Sequence, residues 1–185
     1  MTVFAFTGSF CTVGRALSVL PEFTKTDEVL PVVSESVRST DTRFGKADGI
    51  VAEIERLCGR PVIKDIASAE PIGPIYRSDF MVICPCTGNT LAKLAHGITD
   101  STVTMAAKSH LRNGRPLLVC LASNDAMSAN FENVGRLMAR KNVFFSPLVQ
   151  DDPENKPTSL VFAPGLVIKA ADAAREGRQI RPLFI

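Results

Sequence analysis

The chain has 185 residues, 45% of them hydrophobic, and its 21 Lys and Arg face 19 Asp and Glu for a net charge of +2. That much apolar material with so little charge excludes a disordered chain, and without a strongly basic stretch there is no electrostatic footprint of a nucleic-acid binder. The length suits a single domain over 1–185, so an enzyme of this size is expected to build its site between protomers or share it with a partner.

Residues 1–10 have neither the basic start nor the long apolar run of an export signal, and Val3–Phe6 reads as a first buried strand. Thr12–Leu20 follows as a helix that Pro21 is expected to end. A second apolar run is Val29–Val33. Lys46–Cys58 carries Ile50, Ile54, Leu57 and Cys58 at helical spacing, and Gly59 stops it. Arg60–Ser78, broken by prolines, has room for a short strand near Val62–Ile63. Phe80–Cys84 is a third strand, and Gly97 splits the helices Asn89–His96 and Ser101–Arg112. Leu117–Ala122 and Val143–Ser146 are further strands, with a helix at Ala126–Arg140 between them. Gln150–Thr158 reads as a polar, mobile loop, and Leu166–Glu176 as a last helix.

Wholly apolar strands of four to six residues alternating with helices are the pattern of a parallel sheet buried on both faces. The expected fold is α/β: a Rossmann-like (flavodoxin-like), doubly wound parallel sheet in three α/β/α layers. No window approaches the ~18 apolar residues of a membrane-spanning helix, so no membrane partner is expected. Five cysteines are an odd number, and three lie in or beside apolar runs, which reads as reduced thiols in a cytoplasm. Neither His96 nor His110 neighbours a CxxC pair, and Cys84-x-Cys86 has the wrong spacing for zinc, so no metal site is expected.

In open α/β sheets ligands sit beyond the carboxyl ends of the strands. Those ends carry Thr7-Gly8-Ser9, Ser34, Pro85-Cys86-Thr87-Gly88-Asn89-Thr90 and Ser123-Asn124-Asp125. Each is an ordinary helix cap or turn taken singly. Four together predict a phosphate cradle, with glycines admitting close approach, hydroxyls donating and helix N-termini supplying backbone N–H groups. It is neither a Walker A loop nor G-x-G-x-x-G, because Gly8 is followed by Ser9-Phe10-Cys11-Thr12-Val13-Gly14.

Thr7-Gly8-Ser9 and the block from Pro85 through Asn89-Thr90-Leu91-Ala92-Lys93 to Gly97 and Asp100 resemble the FMN-binding, homo-oligomeric flavoproteins related to cysteine decarboxylases. The stretch Leu121–Met127 keeps the Asn124 and Met127 of that family's third signature but lacks its proline and first methionine. Thr40-Asp41-Thr42-Arg43-Phe44-Gly45-Lys46-Ala47 and the segment Gln150-Asp151-Asp152-Pro153 to Ser159-Leu160-Val161 are similar to one branch, the B subunits of dipicolinate synthases from spore-forming bacteria.

The resemblance implies an oxidoreductase component that works with an A subunit of the nicotinamide-binding kind, so NAD(P) enters through that partner. The pair would oxidise a dihydrodipicolinate-type dicarboxylate to pyridine-2,6-dicarboxylate in the mother-cell cytoplasm during sporulation. It implies FMN held at the interfaces of a trimer-based homo-oligomer. Gly8, Ser9 and Ser34 would meet its phosphate and ribityl chain, and Thr87, Gly88, Asn89 and Thr90 would continue the cradle. Ser123 and Met127 join the cofactor set, and Asn124 would lie near the flavin ring or the substrate. Arg43 is the leading carboxylate anchor, since a guanidinium holds a carboxylate by two parallel hydrogen bonds; Lys108 and Arg112 are weaker candidates, and Asp41 is a competitor for Arg43. No histidine lies between Glu35 and Gly59, which disfavours decarboxylation. A degenerate flavoprotein acting as a binding partner, an FMN-dependent decarboxylase and a flavin prenyltransferase are the alternatives. Cys11 and Cys86 lie near the expected site and read as packing residues.

Overall fold

The computed structural model describes residues 1–185. Strands β1 (Thr2–Phe6), β2 (Val29–Val33), β3 (Phe80–Cys86), β4 (Leu117–Ser123) and β5 (Val143–Phe145) alternate with helices. These are α1 (Phe10–Thr24), α2 (Glu35–Ser39), α3 (Ala47–Cys58), α4 (Ile66–Ala69), α5 (Gly88–His96), α6 (Thr102–Leu111) and α7 (Phe131–Met138). Two short strands, β6 (Leu148–Val149) and β7 (Leu160–Phe162), and helix α8 (Val167–Arg175) complete the chain.

The sheet order is β2-β1-β3-β4-β7-β6, with β5 also paired to β4. Strands β1 to β5 pair in parallel, but β7 pairs antiparallel with both β4 and β6. The sequence pattern predicts a wholly parallel sheet, so this edge is a correction. The β4 strand accommodates both partners by dividing its length: Leu117–Val119 face β5, and Ala122–Ser123 face β7. Strands of two and three residues carry too short a pattern to be read from periodicity.

Because the strands are covered on both faces, alternate residues enter different cores. Val3, Ala5, Met81 and Ile83 pack with α5, α6 and α7 residues such as Leu91, Val103 and Val134. Phe4, Phe6, Val82 and Leu118 pack with Ala16 and Leu20 of α1, Ile54 of α3 and Ala171 of α8. Pro21 does not end α1, which runs on to Thr24. An interior proline costs about 3 kcal/mol, while burying Leu20 and Phe23 returns roughly 1.5–3 kcal/mol each; Phe23 meets Phe4 edge-on at 5.3 Å.

Val62–Ile63 contributes only one bridge, from Ile63 to Val32. The expected Ala126–Arg140 helix starts instead at Phe131. The Asp125 carbonyl accepts from the N–H groups of Ser128 (3.1 Å) and Asn130 (3.0 Å), which closes turns before a helix can begin. The 150–158 segment is a loop, but a tied one: Thr158 Oγ1 donates to Asn124 O at 2.7 Å, Met127 N to Thr158 O at 2.9 Å, and Gln150 Nε2 to Pro157 O at 3.0 Å. No helix is long and apolar enough to cross a membrane.

Candidate functional site

The chain leaves β1 for β2 on one side and returns to β3 on the other, so β1 and β3 flank a topological switch point. At their carboxyl ends lies a cleft of about 560 Å³, within the usual range for small-molecule sites. The carboxyl ends of β1 and β3 are joined through one residue, Thr7. Thr7 Oγ1 donates to Pro85 O at 2.8 Å and accepts from Thr87 N at 2.9 Å, and Thr7 N donates to Pro85 O at 3.2 Å. This holds the N-termini of α1 and α5 side by side, where first-turn N–H groups lack intrahelical acceptors and the helix dipoles favour negative charge. The sequence places Thr7 in the first cradle loop but does not show its role as the tie to the loop after β3, because its hydroxyl acts across 80 residues of sequence.

Gly8, Ser9, Arg43, Thr87, Gly88, Asn89, Ser123 and Asn124 all line the cleft. Thr87 caps α5, accepting from Thr90 N at 3.2 Å, and Ser9 accepts from Thr12 Oγ1 at 2.9 Å. Both glycines are dictated by close approach. A Cβ at Gly8 would collide with Ser36 Oγ, and one at Gly88 would collide with Ser123 Oγ and lie 2.7 Å from Asn130 Nδ2 and 2.9 Å from Asp125 Oδ1. Their nearest neighbours are therefore polar side chains of adjacent segments, the Asp125 carboxylate among them.

Ser34, Thr90 and Met127 do not line the cleft. Ser34 caps α2 and hydrogen-bonds Ser36 Oγ at 3.0 Å, so Ser36 is the residue that reaches Gly8. Thr90 is buried and accepts from Thr87 Oγ1 at 3.0 Å. Met127 packs against the core. Cys11 is exposed on the cleft wall rather than packed, whereas Cys86 is buried and burial pushes its thiol far up.

Asp125 is the acidic group of the cleft. Its Oδ1 accepts from Ser123 Oγ and its Oδ2 from Asn130 Nδ2 at 2.8 Å, and Asn133 Nδ2 donates on to Asn130 Oδ1 at 2.9 Å. Also lining the cleft, Arg43 sits in a turn closed by Thr42 N to Gly45 O (3.0 Å) and Gly45 N to Thr42 O (3.1 Å). Its guanidinium lies 4.9 Å from the Phe44 ring centroid. Asp41 does not compete for it: Asp41 Oδ1 accepts from Ala47 N at 2.9 Å, at the start of α3.

The second cation of the cleft, Lys156, comes from the 150–158 loop and pairs with Asp151 at 3.3 Å. Burial alone would raise the Asp151 carboxyl, but hydrogen bonds from Ser159 and Lys156 outweigh it and hold the group below its ordinary value. Lys108 and Arg112 lie elsewhere: Lys108 borders a separate small pocket, and Arg112 pairs with Glu70 at 3.4 Å. Sequence reasoning misses Lys156 because its loop is nearly as polar throughout, and the bonds of Thr158 to Asn124 and Met127 that tie the loop beside the cleft join residues distant in sequence.

A three-layer sheet with helix N-termini and hydroxyls gathered at its switch point has the architecture of the doubly wound proteins whose ligands sit at that edge. The flavoprotein family model matches residues 2–160, and the chain belongs to that family. The B subunit of dipicolinate synthase of Bacillus subtilis (strain 168) is 43% identical over 183 residues, covering 98% of this chain and 92% of that protein. The crystal structure of the dipicolinate synthase B subunit from Bacillus halodurans superposes with a TM-score of 0.90 at 39% identity, covering 100% of this chain and 95% of that one. Burkholderia xenovorans DmrB in complex with FMN shares the fold, with a TM-score of 0.64 at 21% identity over 78% of this chain and 86% of its own. Flavin prenyltransferases match shorter stretches, 58% of this chain for that of Escherichia coli K12.

The residues present fit an FMN-type group. The α1 and α5 N-termini, with the Ser9 and Thr87 hydroxyls, suit its phosphate, and Phe10, Phe44 and Ala122 give the cleft apolar surface for a ring.

Proposed function

We propose that this chain is one of two unlike components of an oxidoreductase that converts a dihydrodipicolinate-type precursor to pyridine-2,6-dicarboxylate, with an FMN-type cofactor in its cleft. The observation that carries the reading is Arg43: a guanidinium without an ion-pair partner, on the rim of a cleft that already holds two helix N-termini. The likeness to dipicolinate synthase B subunits over nearly the whole chain supports the substrate class.

A bound flavin supplies a two-electron acceptor. The chain's own residues do the rest. Gly8, Ser9, Thr87, Gly88 and Asn89 hold the phosphate end, and Asn124 and Ser123 border the reacting end. Arg43 fixes a substrate carboxylate with two parallel hydrogen bonds, and Lys156 adds a second positive charge. Phe44 limits the guanidinium's freedom by stacking. The dipicolinate synthase A subunit, as partner, supplies NAD(P) chemistry, and further copies of this chain, in a trimer-based assembly, close the open side of the cleft. The setting is the mother-cell cytoplasm of a sporulating bacterium.

The test mixes this chain with the A subunit and the precursor and follows pyridine-2,6-dicarboxylate, with the visible spectrum of the purified chain recorded after FMN is added. Bound flavin, product only in the mixture, and a fall of about tenfold or more in Arg43→Lys are expected, since charge-assisted hydrogen bonds contribute roughly 1.5–3 kcal/mol. Unchanged product formation by Arg43→Lys would remove the anchor. No bound flavin with full activity in the mixture would make the chain a binding partner. Prenylation of FMN or decarboxylation by the chain alone would replace the reading.

A further inference from the structure

At the opposite end of the sheet, the two loops that feed β3 and β4 enclose a second pocket of about 310 Å³. It is lined by Gly73, Pro74, Arg77, Ser78, Asn113 and Arg115 and has no apolar side chain in its wall except proline. Seven-residue strands separate it from the cleft by about 20 Å at roughly 3.3 Å per residue, so one small ligand cannot touch both.

The pocket is built, not incidental. The end of α6 ties down both loops with buried groups. Ser109 Oγ accepts from Gly73 N at 3.1 Å and donates to Glu70 O. His110 Nε2 bonds Pro116 O at 2.9 Å, and its Nδ1 bonds Ser78 Oγ at 2.7 Å. With Nε2–H donating to Pro116 O, the Ser78 hydroxyl donates to Nδ1. A Cβ at Gly73 would collide with Ser109 O and lie 2.7 Å from Asn113 Nδ2, so the wall accepts only glycine there. Arg77 holds φ of 50°, a left-handed conformation uncommon for a residue with a side chain.

Charge selects the ligand. Seven arginines, among them Arg38, Arg56, Arg60 and Arg112, are held in ion pairs; Arg77 and Arg115 are not. The carboxylates near the pocket are already engaged, Glu70 by Arg112 and Asp79 by the Met1 ammonium at 2.9 Å. Two unpaired guanidiniums and the Asn113 amide remain as donors around a polar hollow. Guanidinium forks match carboxylate and phosphate oxygens.

We propose that this pocket is a second binding site, for a small oxyanion of the carboxylate or phosphate type, held by Arg77 and Arg115 with Asn113. It is independent of the function proposed for the cleft.

The test titrates the whole protein, labelled with nitrogen-15, with inorganic phosphate and separately with pyridine-2,6-dicarboxylate, at ionic strength held constant with sodium chloride. Saturable shifts of the Gly73, Arg77, Ser78, Asn113 and Arg115 amides are expected, retained in Arg43→Gln. Binding at least tenfold weaker is expected in Arg77→Gln and, separately, in Arg115→Gln; Arg115 has ordinary backbone geometry, so its variant stands if Arg77→Gln disturbs the loop. Saturation by phosphate alone or by the dicarboxylate alone supports the site and says which source fills it. Shifts that do not saturate, that chloride reproduces, or that survive Arg115→Gln in a folded protein overturn it.

Discussion

The two ends of the sheet treat their polar groups in opposite ways. At the amino ends of the strands nearly every such group is paired: Thr2 Oγ1 and Arg175 both bond Asp27, Met1 bonds Asp79, and His110 is shared between Ser78 and Pro116. At the carboxyl ends Thr7 and Asp125 are occupied within the fold, while Asn89, Asn124 and Arg43 are exposed around the cleft. Buried polar groups must be paired, so the paired end sets stability and the open end is left to recognise ligands. Arg77 and Arg115 are the exception at the amino end, which is what marks their pocket.

The comparison breaks most readily at the paired end. Gly73→Ala drives a Cβ onto the Ser109 backbone, and a loss of about 3 kcal/mol is expected, at the upper end for overpacking; chemical denaturation reads it. A loss below about 0.5 kcal/mol would mean that the 73–78 loop is not anchored to α6. Thr7→Val keeps the shape but leaves Thr87 N without its acceptor, so a loss of about 2 kcal/mol is expected, as for any unsatisfied buried donor. If flavin affinity falls while stability holds, Thr7 belongs with the ligand groups instead. Gly88→Ala should cost about 1–2 kcal/mol, because it displaces short side chains rather than backbone, and it should also weaken FMN binding measured by fluorescence.

A pH titration sharpens the same contrast. Burial, with a smaller contribution from Arg115, holds His110 below its ordinary value near 6.5. The unfolded chain then binds the proton more readily than the folded one. Stability is therefore fully present above about pH 6.5 and falls as pH drops below it, by up to about 1.4 kcal/mol per unit while His110 stays neutral. Denaturant midpoints between pH 7 and 5 measure the slope, which His110→Gln should abolish. The smallest effect on stability belongs to Arg43→Gln, within about 0.5 kcal/mol because the residue is exposed and unpaired. A larger loss would show a structural role and weaken its assignment as an anchor.

Much of this was legible in the sequence. Strands such as Val3–Phe6 and Leu117–Ala122 announce themselves because residues buried on both faces are apolar without interruption. The Thr87 cap on α5 is local, set by Thr90 three positions on, and Ser9 and Thr12 bond each other over the same spacing. The antiparallel edge was not legible, since β6 and β7 are too short for a pattern. Nor was the close approach of Ser36 to Gly8, because it joins two loops distant in sequence.

By itself, then, the sequence determined the alternation of strands and helices, the loops that would crowd one edge, and the family those loops resemble. These follow from local burial patterns and short-range capping. Only the tertiary structure decided which polar groups are already satisfied. It consumed Ser34, Thr90 and Met127 in caps and core, left Arg43 unpaired, and carried Lys156 into the cleft beside an antiparallel strand. A hydrogen bond between residues 80 positions apart has no signature in either neighbourhood, and whether a polar side chain serves the fold or a ligand depends on such bonds.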